Sequence, residues 1–226
     1  MNQFDNTQKQ ILNLLDGDCQ QFIYLTGAAG TGKTTLIQNV VDKCSLKKII
    51  VAPTGVAALN IGGSTINSAF RIGFDTFPVI QESNDPRFKK LLKKLDLLII
   101  DEVSMVRAPM LDAISETLKL YRDSQEPFGG IHVLACGDLF QLPPVVKDHE
   151  VNIIDEKYES IYFFSSKSYK EIESPSFFEL TYSFRQSEDK NFYSLLNNIR
   201  LGNDLEKSID KINRACYNPE FTDESS

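Results

Sequence analysis

The residues with the plainest chemistry are Gly27-Ala28-Ala29-Gly30-Thr31-Gly32-Lys33-Thr34, which fit G-x-x-x-x-G-K-[ST]. An apolar run over 21–26 precedes them and a helix-like segment over 33–44 follows. In that setting the pattern is a phosphate cradle. Its glycines let successive backbone N–H groups converge on phosphate oxygens, Lys33 neutralises charge at the β and γ positions, and Thr34 offers a hydroxyl to Mg²⁺ at the positive end of a helix. A glycine-rich turn that merely joins strand to helix is the competing reading. Strand before, helix after and all fixed positions filled argue against it. The chain is therefore expected to bind a nucleoside triphosphate through this loop and the adjoining Thr35.

Three further segments carry groups that triphosphate chemistry needs. Leu97-Leu98-Ile99-Ile100-Asp101-Glu102 places two carboxylates at the end of a buried strand. Asp101 is suited to hold Mg²⁺, directly or through water, and Glu102 to act on the attacking water. Taken alone, acidic residues meeting solvent at a strand end are a fair rival reading. The stretch 131–144 is a strand ending in Gly137-Asp138 and running into Pro143-Pro144. Within it, Gln141 could donate to a γ-phosphate oxygen and accept from water, so hydrolysis would change its partners. Gly, Asp and Pro punctuate loops everywhere, so turn chemistry is an equal reading of that stretch on its own. Finally, Arg185 in Tyr182-Ser183-Phe184-Arg185-Gln186 could bring a fork of donors to transition-state phosphate charge. Without context a salt-bridged surface arginine is the more frequent case.

These groups need a scaffold, and short apolar strands alternating with helix-like segments supply one. Strands are predicted at 21–26, 48–52, 97–101, 131–136, 161–164 and 177–181. Continuous apolar strands between helices argue for an α/β fold with a mostly parallel sheet covered on both faces. Residues 6–15 read as a short helix leading into the first strand, and 191–200 as another, with Phe192, Leu195, Leu196 and Ile199 on one face. Between 72 and 95 lies either an insert or a crossover connection with a solvated helix, which bears Arg87, Lys89, Lys90, Lys93 and Lys94. That charge run is read as a solvated face. Residues 145–160 read as a long polar loop.

The 226 residues, 42% hydrophobic, suffice for one substantial core. A net charge of −7 gives no global basic signature, so any nucleic-acid site must be local. Cys19, Cys44, Cys136 and Cys216 are scattered and read as reduced thiols. No apolar run approaches the ~18 residues of a membrane span, so a soluble, unsecreted protein with no membrane partner is expected.

The segments APTGVAALNIGGSTI, IIDEVSM, GDLFQLPPV and SFRQ, in that order after the cradle, resemble the motor of the Pif-one helicases. That family belongs to the 5′-to-3′ branch of superfamily 1, beside the phage Dda and bacterial RecD helicases, and the likeness runs from about Asn6 to Gly202. It implies a P-loop NTPase fold of the RecA-like kind, with ATP and Mg²⁺ as cofactors. Single-stranded and forked duplex DNA are the implied partners, with work in DNA repair, recombination and telomere maintenance. By the same resemblance Gln8 matches the glutamine that reads the adenine base. Lys33 and Thr34 match the phosphate and magnesium contacts, Asp101 and Glu102 the metal and hydrolysis carboxylates, Gln141 the γ-phosphate sensor, and Arg185 the arginine of the fourth motif. Pro53, Thr54 and Gly55, with Ser64, Thr65 and Asn67, match the segments that line the single-strand path. Hydroxyls and backbone N–H groups there hold phosphates without reading bases. For Gly62-Gly63-Ser64-Thr65 a turn and helix cap is the alternative, and both readings can hold together. The chain departs from the family at Asn67, where many members carry His, and around Ala69, where many carry aromatic residues.

The family's motor has two RecA-like lobes. Residues 1–226 are expected to be the first, with the second absent and 72–95 standing where the family inserts its strand-separating element. A monomer is expected, inside the cell: cytoplasmic in a bacterium or virus, nuclear or mitochondrial in a eukaryote. Two rival classes stand beside the helicase lobe. One is a nucleic-acid-binding module gated by ATP without unwinding, the other a small-molecule phosphotransferase. Glu102 beside Asp101, and Gln141, argue against the latter.

Overall fold

Strand β4 (Leu97–Ile100) is buried along its whole length, as a strand covered on both faces must be. The computed structural model describes residues 3–182 and 190–216. Helix α1 (Gln3–Leu15) leads into β1 (Phe22–Gly27), the glycine-rich loop and α2 (Lys33–Lys43). Next come β2 (Lys48–Ala52), α3 (Gly55–Ile61), β3 (Ser64–Thr65), α4 (Ile66–Phe70) and α5 (Pro86–Lys93). After β4 follow α6 (Ala108–Arg122), β5 (His132–Cys136), α7 (Asp148–Asp155), α8 (Lys167–Lys170), β6 (Ser176–Leu180), α9 (Lys190–Leu201) and α10 (Leu205–Cys216).

Among the described residues the strands form one six-stranded sheet in the order β3-β2-β4-β5-β1-β6, with every pairing parallel. The sheet's two-residue period sorts alternate side chains onto opposite faces. Phe22, Tyr24, Leu98, Ile100, Val133 and Ala135 face a core built with α4, α5 and α6. Ile23, Leu25, Leu97, Ile99, Leu134 and Cys136 face the other, built with α1 and α2. The chain leaves β1 beside β5 and re-enters at β2 beyond β4, so the cradle, the Asp101-Glu102 turn and the Gly137-Asp138 turn all emerge at the carboxyl end of the sheet. Ligands of open parallel sheets bind at that end.

The expected α/β sheet is present, with three departures. Residues 161–164 are not a strand: Tyr162 makes a single antiparallel bridge to Arg107, and Phe163–Ser165 is a 3-10 turn. Phe163 is drawn into the core against Tyr24 and Tyr169, and Ser166 caps α8 by accepting from the Tyr169 N–H, which turns the chain out of extended geometry. The expected loop over 145–160 contains α7, whose first turn carries Asp148 and Glu150 at its positive end and whose Ile154 is fully buried. The third is β3, too short for an apolar pattern to mark it.

Between 72 and 95 the chain is irregular to residue 85 and then helical. Asp85 accepts from the Arg87 and Phe88 N–H groups and Pro86 takes the first helical position, a start built on both cap preferences. Phe88 and Leu92 enter the core while Arg87, Lys90, Lys93 and Lys94 stay exposed, the solvated face expected of the crossover alternative. All four cysteines are free thiols. No helix among the described residues is long and apolar enough to cross a membrane.

Candidate nucleotide and nucleic-acid site

The cradle begins where β1 ends, and Gly27 shows why a glycine stands there. Its φ is +151°, and a Cβ would lie 2.6 Å from the Leu180 carbonyl oxygen and 2.8 Å from the Thr31 hydroxyl. Any side chain would push the loop away from β6. The loop then closes on itself: the Thr31 hydroxyl donates to the Ala28 carbonyl at 2.9 Å, and the Lys33 ammonium donates to the carbonyls of Gly27 at 2.7 Å and Ala28 at 3.2 Å. Lys33 is thereby held over the mouth of the loop at the start of α2.

Beside it, Asp101 is buried after β4 and its carboxylate accepts from the Glu102 N–H at 3.0 Å. Glu102 itself sits at φ 51°, ψ 42°, a left-handed conformation uncommon outside glycine, asparagine and aspartate. That residue ends the strand abruptly and starts the 3-10 turn Val103–Met105. Burial pushes the Asp101 carboxyl above the usual aspartate value, with the Glu102 N–H, the Lys33 charge and the Cys136 thiol pulling it part of the way back. The Glu102 carboxyl is raised too, first by burial, then by the Asp101 charge, with Asp138 adding and Lys33 opposing.

After β5 the environment reverses. Asp138 is 1% exposed, yet its carboxylate accepts from Arg200 Nε and Nη2 at 2.9 Å each, from the Phe140 N–H at 3.1 Å and from the Gln141 side-chain amide at 3.1 Å. Burial alone would raise it; the Arg200 fork and the two amide donors outweigh burial and hold it below the usual value.

A cleft of about 760 Å³ brings these groups together: Ala29, Gly30, Gly32, Lys33, Thr34 and Thr35 from the cradle face Asp101, Glu102 and Gln141. Gly27, Ala28 and Thr31 support the cradle from behind. Gln8 is buried on α1 and does not line the cleft, whereas Phe4, one turn before it, does. Arg185 lies outside the described residues. The donor set fits Mg²⁺, a hard cation that takes oxygen ligands and keeps phosphates and waters: Thr34 supplies a hydroxyl and Asp101 a carboxylate. Among the described residues no group of three or more His, Cys, Asp or Glu side chains is arranged to hold a metal ion by itself.

A second row lies along the same end of the sheet. Val51 and Ala52 of β2 pair with Ser64 and Thr65 of β3, which sets Pro53-Thr54-Gly55 beside Ser64-Thr65. The approach is close because Gly63 has no side chain; a Cβ there would meet the Ile50 carbonyl oxygen at 2.5 Å. Thr54 caps α3 by accepting from the Ala57 N–H at 3.2 Å, and Thr65 caps α4 by accepting from the Ser68 N–H at 3.3 Å. Each hydroxyl keeps its own O–H to donate elsewhere, so cap and phosphate contact are compatible. Asn67 donates from its amide to the carbonyls of Ile72 and Gly73 at 3.0 Å each, which fixes the turn leaving α4. Pro53, Thr54 and Asn67 line a further cleft of about 370 Å³ with Phe74, Met105, Arg107 and Lys147.

Three features escaped the sequence. Phe4 could have been found as the aromatic one helical turn before Gln8. The left-handed Glu102 has no signature in residue type. The Asp138–Arg200 pair spans 62 residues, and neither residue is distinctive alone.

Comparison with known proteins agrees with this geometry. The sequence model of the PIF1-like helicase family matches residues 3–210. The ATP-dependent DNA helicase PIF1 of Candida albicans is 36% identical over 216 residues, covering 88% of this chain and 23% of that protein. A crystal structure of Pif1 helicase from Bacteroides in complex with ADP-AlF3 and single-stranded DNA is 37% identical with a TM-score of 0.86, covering 97% of this chain and 51% of that one. A structure addressing DNA unwinding at forked duplex DNA by two coordinating Pif1 helicases is 38% identical with a TM-score of 0.85, covering 95% and 51%. The chain thus spans about half the length of the solved structures it matches, and their likeness bears out the expected RecA-like P-loop fold. By family model and by relatives alike, this chain belongs to the PIF1-like helicases.

Proposed function

We propose that this chain is the first motor lobe of an ATP-dependent DNA helicase, binding and hydrolysing ATP in the first cleft and gripping single-stranded DNA along the second row. The observation that carries the reading is convergence: cradle, paired carboxylates and Gln141 face one cleft at the same sheet end as Pro53-Thr54-Gly55 and Ser64-Thr65. The Bacteroides relative carrying ADP-AlF3 and single-stranded DNA supports it.

In this reading the β and γ phosphate oxygens replace the Gly27 and Ala28 carbonyls as acceptors for Lys33, and the cradle N–H groups take the remaining phosphate charge. Thr34 and Asp101 hold Mg²⁺. When bound, that ion supplies neutralisation of phosphate charge. Glu102 orients the attacking water and accepts its proton, a task favoured by the raised proton affinity that burial and Asp101 impose. Gln141 contacts the γ-phosphate, Arg185 stabilises the charge of the transferred group, and Phe4 meets the base from the cleft wall with Gln8 buried one helical turn behind it. Thr54, Ser64, Thr65 and the Pro53-Gly55 backbone hold DNA phosphates, with Asn67 shaping their edge. Directional movement needs two lobes that close on ATP while each grips the strand in turn; this chain is assigned the first, with 72–95 at the place of the strand-separating element. Single-stranded and forked DNA are the proposed partners of a monomer acting inside the cell.

The test is steady-state ATP hydrolysis by the 226-residue chain, with and without single-stranded DNA, beside Lys33→Ala and Glu102→Gln. The expected result is slow turnover reduced roughly a hundredfold or more by Glu102→Gln, as for loss of a general base, and loss of nucleotide binding with Lys33→Ala. Turnover as fast as an intact motor's and indifferent to DNA would overturn the lobe assignment; turnover untouched by both changes would overturn the site.

A further inference from the structure

We propose that Arg200 is a positioning residue for the γ-phosphate contact: from α9 it holds the Asp138 carboxylate, and that carboxylate holds the Gln141 side chain at the mouth of the nucleotide cleft. The proposal rests on the reading of that cleft given above.

The geometry is a chain of short contacts running from one element to another. Arg200 meets Asp138 fork to fork, Nε on Oδ2 and Nη2 on Oδ1, both at 2.9 Å, the bidentate arrangement that fixes orientation as well as distance. Each carboxylate oxygen then takes one donor from the loop beyond β5: the Phe140 N–H on Oδ1 and the Gln141 amide on Oδ2, at 3.1 Å each. The Gln141 N–H also donates to the Asp138 carbonyl at 2.9 Å. The guanidinium lies 4.7 Å from the centroid of the Phe140 ring, within cation–π reach. Thus Arg200 touches Asp138 and Phe140 directly and Gln141 through one shared carboxylate.

Two considerations separate this arrangement from a helix anchor. An anchor for α9 would be apolar, yet among its described side chains none is fully buried and none belongs to either core. The fork reaches instead into the loop that lines the cleft. Second, the bonds leave Gln141 equipped for its task. Its amide has two N–H donors and one acceptor oxygen; Asp138 takes one N–H, leaving the other and the oxygen for phosphate and water. Without Arg200, a carboxylate that is 1% exposed loses its forked cation. It then protonates or turns toward water, and its hold on Gln141 fails.

The test measures equilibrium binding of ATPγS and of ADP, each with Mg²⁺, to the 226-residue chain by calorimetry. The unchanged chain is compared with Arg200→Ala, Arg200→Lys, Gln141→Ala and the Arg200→Ala/Gln141→Ala double variant. The ratio of the two affinities reports γ-phosphate recognition and is unmoved by a loss of stability common to both. Arg200→Ala is expected to weaken ATPγS about tenfold, the order of one lost charge-assisted contact, with ADP changed less than about twofold. The double variant should match Gln141→Ala alone, because the two residues act through one contact. Arg200→Lys should recover only part of the ratio, since an ammonium cannot span both oxygens. If Arg200→Ala does not fold, Arg200→Lys decides by the same ratio. Equal weakening of both nucleotides, an unchanged ratio in Arg200→Ala or Arg200→Lys, or additive effects in the double variant would each overturn the proposal. An unchanged ratio in Gln141→Ala would remove the contact that Arg200 is said to position. A wild-type chain that binds neither nucleotide would overturn the reading of the cleft itself, and the proposal with it.

Discussion

Two neighbouring strands end in carboxylates at the same edge of one sheet, and the fold treats them in opposite ways. After β4, burial raises both Asp101 and Glu102, the Asp101 charge raises Glu102 further, and Lys33, which opposes both shifts, also bonds two loop carbonyls. After β5, Asp138 is also buried but has a forked arginine and two amide donors, and is held below its usual value. In the proposed function the carboxylates that meet a metal or a water keep few partners, the Glu102 N–H and the Cys136 thiol at Asp101, and strain is tolerated at the backbone of Glu102. One that only positions others is fully satisfied. Under that proposal the contrast separates the groups assigned to react from those assigned to support them.

The largest expected effect falls on the satisfied side. Asp138→Ala strips acceptors from Arg200, the Phe140 N–H and Gln141 together, and should lower unfolding stability by about 3 kcal/mol, the low end for breaking a buried pair. The pH dependence carries a definite sign. Because the folded pKa of Asp138 is depressed, its contribution is fully present above the unfolded value of about 4 and is lost as pH falls through the folded value. Urea unfolding at neutral pH and at pH 3 should therefore show the gap between wild type and Asp138→Ala narrowing in acid. A constant gap would mean that packing, not charge, sets it, and the contrast between the two strand ends would collapse.

On the strained side the sign inverts. Glu102→Gln removes a charge that the folded state disfavours, and should stabilise the chain by about 1 kcal/mol, within the range seen when a functional site is relaxed. Since the Glu102 pKa is raised on folding, the wild-type penalty is complete above the folded value and vanishes as pH falls to the unfolded one near 4.3. The advantage of Glu102→Gln should thus be present at pH 7 and absent at pH 4 in thermal unfolding. A destabilised Glu102→Gln at neutral pH would show that the carboxylate has structural partners and is not a group held ready for reaction.

How much of this was legible in the sequence follows from how far apart the cooperating residues lie. The cradle is contiguous, so one string of residues carries it, although the closest contact that excludes a side chain at Gly27 comes from Leu180 of β6. The apolar strands before Asp101 and Asp138 were legible for the same reason, being short runs with a face for each core. Thr65 was readable both as part of a cap and as a phosphate contact, and the structure keeps both uses open there and at Thr54. What failed was local pattern under tertiary competition. The aromatic run at 161–164 reads as a strand until Phe163 is drawn into the core, and the polar run at 145–160 reads as a loop although Ile154 anchors a helix within it. The Asp138–Arg200 fork is beyond any local pattern, because an isolated arginine at the end of a helical face has no distinguishing neighbour.

The smallest expected effect tests the same contrast inside the β4 turn itself. The Ser104 hydroxyl is buried two residues after Glu102 and has no hydrogen-bond partner among the described residues. Native proteins seldom leave such a group idle, and those that do often lie at reacting sites. If the turn after β4 is kept short of partners for reaction, Ser104→Ala should leave thermal stability unchanged or raise it by roughly 0.5 kcal/mol, because no bond is lost and the desolvation of an unpaired hydroxyl is removed. It should also leave ADP affinity intact. A loss of about 1 kcal/mol or more, the size of a broken hydrogen bond, would show instead that the hydroxyl is paired in solution. The β4 turn would then be as fully satisfied as the one after β5, and the two strand ends would differ in charge alone.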